Sequence, residues 1–422
     1  MSILLRQATV IDPSSPFHLQ RADIFISNGS IDAIGQNLDI KAEETLAIPG
    51  LYVSPGWVDI FSHFNDPGQE HKETLESGAL AAAAGGFTDV MTLPNTSPCT
   101  HNKAAVEYGV QRSRYLPVNI HPIGAITKNA EGKELAEMYD MHASGAKAFS
   151  DGVNSLQSSG IMLKALQYLK AIDKVIIQIP EDKSLSTHGL MHEGIVSTRL
   201  GLPGKPSIAE ELMITRDIEL VKYTGSKLHI TGLSSRKAVE LVKEAKAEGL
   251  SISCSVTPYH LIFCDEDLQD YDTNLKVNPP LRTADDRQAL IEAVMDGTID
   301  CIASHHMPED IDHKIVEFEY ARNGMISLQT AFAAVASALP GISAERLVDL
   351  FCFAPRRIFN LPAPVIDKGA QAQLSLFTMQ QEWMFDKGMN KSRSANSPFI
   401  GRNFTAKPLG IINKGSLFLN NE

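Results

Sequence analysis

Asp59 and His63 stand where an apolar run, Leu51-Tyr52-Val53-Ser54-Pro55-Gly56-Trp57, gives way to Val58-Asp59-Ile60-Phe61-Ser62-His63-Phe64-Asn65-Asp66-Pro67-Gly68. Polar side chains at the end of a buried strand mark the place where barrel enzymes keep their chemistry. A carboxylate and an imidazole there can ligate a metal or move a proton. A further imidazole pair, His305-His306, follows the strand-like run Thr298 to Ala303. Imidazole is a good zinc ligand, so His63 and His305 could hold one metal ion. A plainer reading of His63 and Asp151 is ordinary hydrogen bonding, and Asn95 and Asn278 would then cap turns beside Pro94 and Pro279.

The elements that would position these residues alternate. Thr88 to Leu93, Val118 to Ala125, Lys147 to Ser150, Val175 to Ile179, Lys227 to Ile230, Ser251 to Val256 and Thr298 to Ala303 read as strands. Glu73 to Ala84, Gly160 to Ala171, Ser207 to Tyr223, Ser235 to Ala247, Asp285 to Met295 and Met325 to Leu339 read as helices. Near eight such units argue for a parallel sheet closed into a (β/α)8, or TIM, barrel spanning residues 51–363. Residues 1–50 carry short β-rich runs with an Asn28-Gly29 hairpin signal, and residues 364–422 return to that pattern at Ala372 to Phe377 and Gly410 to Leu419. Chain ends often lie close together, so both are expected in one small β-sandwich domain beside the barrel. Asp386 to Asn396, rich in Lys, Ser and Asn, reads as an exposed loop.

At 422 residues the chain is long enough for a barrel with an accessory domain. No apolar run approaches the ~20 residues of a membrane helix, and the N-terminus lacks the pattern of a signal peptide, so a cytoplasmic location is expected. The five scattered cysteines, with no close pair, read as free and mostly buried thiols. A formal charge of −12 argues against a nucleic-acid partner.

The Asp59 stretch resembles the Asp-x-His-x-His metal strand of amidohydrolases, and its continuation through Pro67-Gly68 resembles the dihydroorotases. The likeness runs on through Gln69-Glu70-His71-Lys72-Glu73-Thr74, Gly85-Gly86-Phe87-Thr88-Asp89-Val90, Leu93-Pro94-Asn95-Thr96, Gly201-Leu202-Pro203-Gly204, Val256-Thr257-Pro258-Tyr259-His260-Leu261, Asn278-Pro279-Pro280-Leu281-Arg282 and Asn396-Ser397-Pro398-Phe399. The resemblance implies an α/β fold of the amidohydrolase superfamily. It also implies the interconversion of carbamoyl-aspartate and dihydroorotate in pyrimidine synthesis, on two zinc ions bridged by hydroxide.

Position by position, the resemblance implies a damaged site. His63 matches the second His of the metal strand, while Phe61 stands at the first. Asp151 retains one of two adjacent Asp residues expected for the bridging carboxylate, and Gly152 replaces the other. Ile179 and Gly232 occupy two further His positions, and His305 occupies that of the proton-transferring Asp. Asn65 replaces the Arg that grips the substrate carboxylate, a bidentate contact Asn cannot supply, and Glu309 replaces the final His of the late motif. Asn95 and Asn278 match substrate-binding positions.

The expectation is a barrel with no bound cofactor and no catalysis, acting as a scaffold or regulatory subunit, with aspartate carbamoyltransferase as the implied partner and homo-oligomerisation expected. The alternative is an active cyclic amidohydrolase on a rearranged zinc site of His63, Asp151 and His305. A changed cyclic amide or ureide substrate is a third reading.

Overall fold

The computed structural model describes residues 1–420. Its centre is a ring of parallel backbone segments. Trp57–Ser62 pairs with Phe87–Thr92, and that strand with Asn119–Pro122. Ile176–Gln178, Leu228–Thr231, Ile252–Val256 and Cys301–Ile302 form a second parallel run. Phe149 joins the two runs, bridging to Gly124 on one side and Ile176 on the other, and a Ser62–His306 bridge closes the circle. The segment expected as the Lys147 to Ser150 strand thus takes part through a single bridging residue. At the closing seam the Asp59 carboxylate accepts from Ser62 Oγ at 2.6 Å and from the Ser304 backbone N–H at 2.7 Å, tying the first strand to the last.

Side chains fill the ring. Val58, Ile60, Phe61, Met91, Ile123, Ala148, Ile177, Ile179, Cys301 and Ala303 form one apolar cluster, as the close packing of a barrel interior requires. Outside lie Leu75–Ala84, Ser159–Lys170, Ile208–Thr224, Arg236–Ala247 and Ala284–Asp296, close to the helices expected. Thr74, Ser158, Ser235 and Thr283 each accept a backbone N–H at the helix start, which sets the first turn. The helix expected from Met325 begins later, at Ala331. Met325 bridges to His306, whose Nδ1 faces the Ser327 and Leu328 N–H groups, and these ties hold the chain out of a helical path. Lys103–Ser113, capped by Asn102, is a further helix.

Both chain ends enter one eight-stranded sheet in the order Ser416–Leu419, Lys407–Asn413, Leu374–Thr378, Tyr52–Pro55, Ser2–Val10, Arg21–Ser27, Ser30–Gly35, with Glu44–Leu46 also on Ser2–Val10. The edge strand returns to bridge Gln371 through Ser30, so the sheet curls round a core of its own. Trp57 joins that sheet to the barrel: its ring stacks on Phe332 at 4.6 Å and packs against Phe377 at 5.3 Å. Arg356, buried, donates to Asp89 Oδ2 and to the Gly56 carbonyl, both at 2.7 Å, at the same junction.

The 386–396 stretch departs from expectation. Asp386, Lys387, Gly388, Arg393 and Ala395 are exposed as a loop would be, but Met389, Ser392, Ser394 and Asn396 are buried, so the stretch is a strap held against the barrel. Its polar residues are needed inward: Ser392 Oγ and the Arg393 N–H donate to Glu73, Ser394 Oγ to the Lys72 carbonyl at 2.8 Å, and Asn396 Nδ2 to the Met307 and Gly324 carbonyls at 3.0 Å. All five cysteines are free, four of them buried. Among the described residues no helix is long and apolar enough to cross a membrane.

Candidate functional site

A cavity of about 530 Å³ opens at the C-terminal ends of the barrel strands, where His63, Asn95, Ile179, Tyr259, Asn278 and Met307 meet loop residues Lys72, Lys276, Glu309 and Arg322. Three cationic side chains against one carboxylate make its wall positive, although the chain as a whole carries −12. Glu309 lies 2.8 Å from the Lys72 ammonium, and this pair spans the rim.

His63 reaches the cavity, but its Nε2 is engaged by the Asn95 carbonyl at 3.0 Å. Burial pushes its pKa down to about 4, so the ring is neutral and donates that N–H. Phe61 packs in the interior cluster and its ring stacks on the His305 imidazole, with centroids 4.4 Å apart. His305 is buried, with Nε2 on Thr231 Oγ1 at 2.8 Å and Nδ1 without a partner. Burial, and secondarily the neighbouring His260, pushes its pKa down to about 3. Thr231 accepts from Ser255 Oγ at 2.9 Å, which also meets His229 Nε2 at 3.0 Å, so a polar chain runs beneath the apolar layer.

Gly232, at an expected ligand position, and Gly152, beside Asp151, are both crowded by their neighbours. Gly232 has φ +74, and a Cβ built on it would lie 2.9 Å from His305 Cε1 and 3.2 Å from Pro279 Cδ. Gly152 has φ +64, and a Cβ there would lie 1.7 Å from Asn95 Oδ1. Asn95 is therefore a pin: it donates to the Asp151 carbonyl and accepts from the Val153 N–H, both at 3.0 Å. The Asp151 carboxylate turns to Thr127, accepting from its N–H at 2.9 Å and its Oγ1 at 2.6 Å. Burial raises the Asp151 pKa, and the Thr127 hydrogen bonds oppose that. Ile179 presents an apolar wall.

His63, Asp151 and His305 are thus engaged with three different partners and do not form a ligand group. Among the described residues the one group of three or more imidazole, thiol or carboxylate ligands close enough to share an ion is Glu309, Asp310 and His313, on the rim. Asn278 is held by Lys205, which donates to its Oδ1 at 2.8 Å, and by its own donation to Glu181 Oε2 at 3.0 Å. Asn65 is buried, with Oδ1 unpartnered and Nδ2 3.4 Å from the His63 carbonyl.

Sequence reasoning did not find the clamp behind the cavity. Glu73 receives His306 Nε2 at 3.2 Å as well as the hydroxyls of Ser77 and Ser392. Burial raises the Glu73 carboxyl, and the His306 contact with the other donors outweighs it to hold the group ionised below the usual range. Glu73 and His306 lie far apart in the sequence, and their pairing depends on loops that no local pattern connects.

A dihydroorotase from Solibacter usitatus (strain Ellin6076) is 40% identical over 421 residues, covering 99% of this chain and 98% of the relative. The chain belongs to the dihydroorotase family. A dihydroorotase from Syntrophus aciditrophicus (strain SB) is 38% identical, covering 99% of each chain, and the Dihydro-orotase-like family model matches residues 50–238. Among solved structures, an L-hydantoinase (dihydropyrimidinase) from Arthrobacter aurescens aligns with TM-score 0.83 at 24% identity, covering 98% of this chain and 95% of its own. A D-hydantoinase aligns with TM-score 0.83 at 21% identity, covering 99% and 95%. These neighbours share this chain's fold. The dihydroorotase barrel of this chain carries Phe61, Ile179, Gly232 and His305 at its mouth.

Proposed function

We propose that this dihydroorotase homologue serves pyrimidine biosynthesis as a non-catalytic scaffold or regulatory subunit, its dinuclear zinc centre lost, with an aspartate carbamoyltransferase as its partner. The observation that carries the reading is the filling of the barrel mouth: the Phe61 ring stacked on buried His305, with Asn95 and His305 against the two glycines. A dinuclear zinc centre needs several nitrogen and oxygen donors per ion at about 2.0–2.3 Å. His63 gives its Nε2 to a carbonyl and Asp151 both its oxygens to Thr127, so the donors around His63 do not fit such a centre. Asn65 in place of a guanidinium also removes a charged grip on substrate.

A scaffold needs the outer surface of the barrel and its loops, which tolerate these losses. The test is sedimentation of the purified chain with the aspartate carbamoyltransferase of the same cell. A co-sedimenting complex at low micromolar concentration is expected. Two independent species at tens of micromolar would remove the scaffold role. A self-associated, cytoplasmic subunit belongs to the same reading, and the chain sedimented alone tests the first part.

A further inference from the structure

We propose that His71, Asp310 and His313, joined by Glu309 on the cavity side, bind one divalent transition-metal ion of the zinc type at the rim of the barrel mouth. Asp310 lies between two imidazoles: its Oδ1 is 2.7 Å from His313 Nδ1 and its Oδ2 3.3 Å from His71 Nε2. One ligand atom each from Glu309, Asp310 and His313 lies within 4.8 Å of the others. Neighbouring ligands in a tetrahedral zinc shell, with bonds of about 2.0–2.2 Å, stand roughly 3.3 Å apart, so small side-chain adjustments bring these atoms onto one ion.

Three features set the group apart from a solvated acidic patch. His313 belongs to it and a second imidazole, His71, reaches Asp310 from outside it, and imidazoles favour zinc, nickel or cobalt over the calcium and magnesium that oxygen-only sites take. The imidazoles come from segments far apart in sequence. His313 is fixed relative to Asp310 by the short turn Ile311–His313, which Asp310 caps. His71 arrives from the loop after the first barrel strand. Third, Glu309 is largely buried and ion-paired with Lys72 at 2.8 Å, which fixes its carboxylate beside Asp310.

The ion would join the two loops that frame the cavity, since Gln69 and Lys72 on one side and Glu309 and Arg322 on the other line its wall. Occupancy would fasten the mouth. The proposal does not depend on the loss of the barrel centre, because the two sites share no ligand.

The test is calorimetric titration of the chelator-treated full-length protein with zinc chloride alone, alongside visible absorption with cobalt chloride. One zinc per chain with micromolar or tighter affinity is expected, with cobalt bands of tetrahedral intensity. His313→Ala and Asp310→Asn should each weaken binding at least tenfold, and His63→Ala should leave it unchanged. Exposed His71→Ala serves as the variant if either of those fails to match the wild-type melting curve, and it too should weaken binding tenfold. Absence of zinc binding, or binding indifferent to these rim substitutions, would overturn the proposal. Binding lost in His63→Ala would overturn it as well, and would place the metal in the barrel against the non-catalytic reading.

Discussion

Gly232 and His305 are one feature written at two positions. The imidazole occupies the space a side chain at 232 would need, at a backbone φ of +74 that disfavours one. Gly232→His should therefore cost about 2–3 kcal/mol in urea unfolding. Part of that loss should return in the His305→Asp background, a non-additivity of about 1 kcal/mol or more. Additive losses would mean that the two sites do not press on one another. The identities of these residues were legible in the sequence, but the filling was not. Asn95 was expected to touch substrate, whereas its amide pins Asp151 and Val153, a contact set by where a distant loop lies. Protonation offers a second test at this scale. Burial lowers the pKa of His63 and His260 to about 4, and of His229 and His305 to about 3, against an ordinary 6.5. The unfolded chain then binds protons that the folded one refuses, so the stability these groups confer is complete above about pH 6.5 and falls toward pH 4. Urea midpoints at pH 7.5, 6.0 and 5.0 should decline in that order. A flat profile would contradict neutral buried imidazoles.

Between residues and the whole lies the strap that residues 386–396 form. Its polar composition reads as solvent-exposed only while its partners are out of view. Ser392 and Ser394 face inward because Glu73 and the Lys72 carbonyl wait there. Glu73→Ala should leave His306 and the strap hydroxyls unpaired at a cost of about 3 kcal/mol. Limited proteolysis should then cut within 386–396 much faster than in the wild type, and unchanged cutting would show that the strap is held elsewhere. The helix Lys103–Ser113 escaped sequence reading for a related reason: only Val106, Gly109 and Ser113 are buried on it, so it lacks an apolar stripe. Strands fared better, because barrel strands are near-continuous apolar runs and the terminal sheet announces its Asn28-Gly29 turn. Phe149 shows the limit, since one bridging residue completes a barrel without making a regular strand.

Over the whole molecule, the barrel and the curled sheet from the two chain ends are complete, and the departures from the expected ligand residues lie at the mouth. The packing of Trp57, Phe332 and Phe377 that joins the two parts uses none of the residues at the mouth. The cavity that remains is walled by Lys72, Lys276 and Arg322, and whatever enters it meets His63 as a neutral hydrogen-bond donor already spoken for. The most direct test of the central claim is turnover, measured as both dihydroorotate hydrolysis and carbamoyl-aspartate cyclisation on zinc-supplemented protein. No rate above the protein-free control is expected in either direction. Turnover in the purified chain that disappears in His63→Ala would contradict the account and return this barrel to the working dihydroorotases.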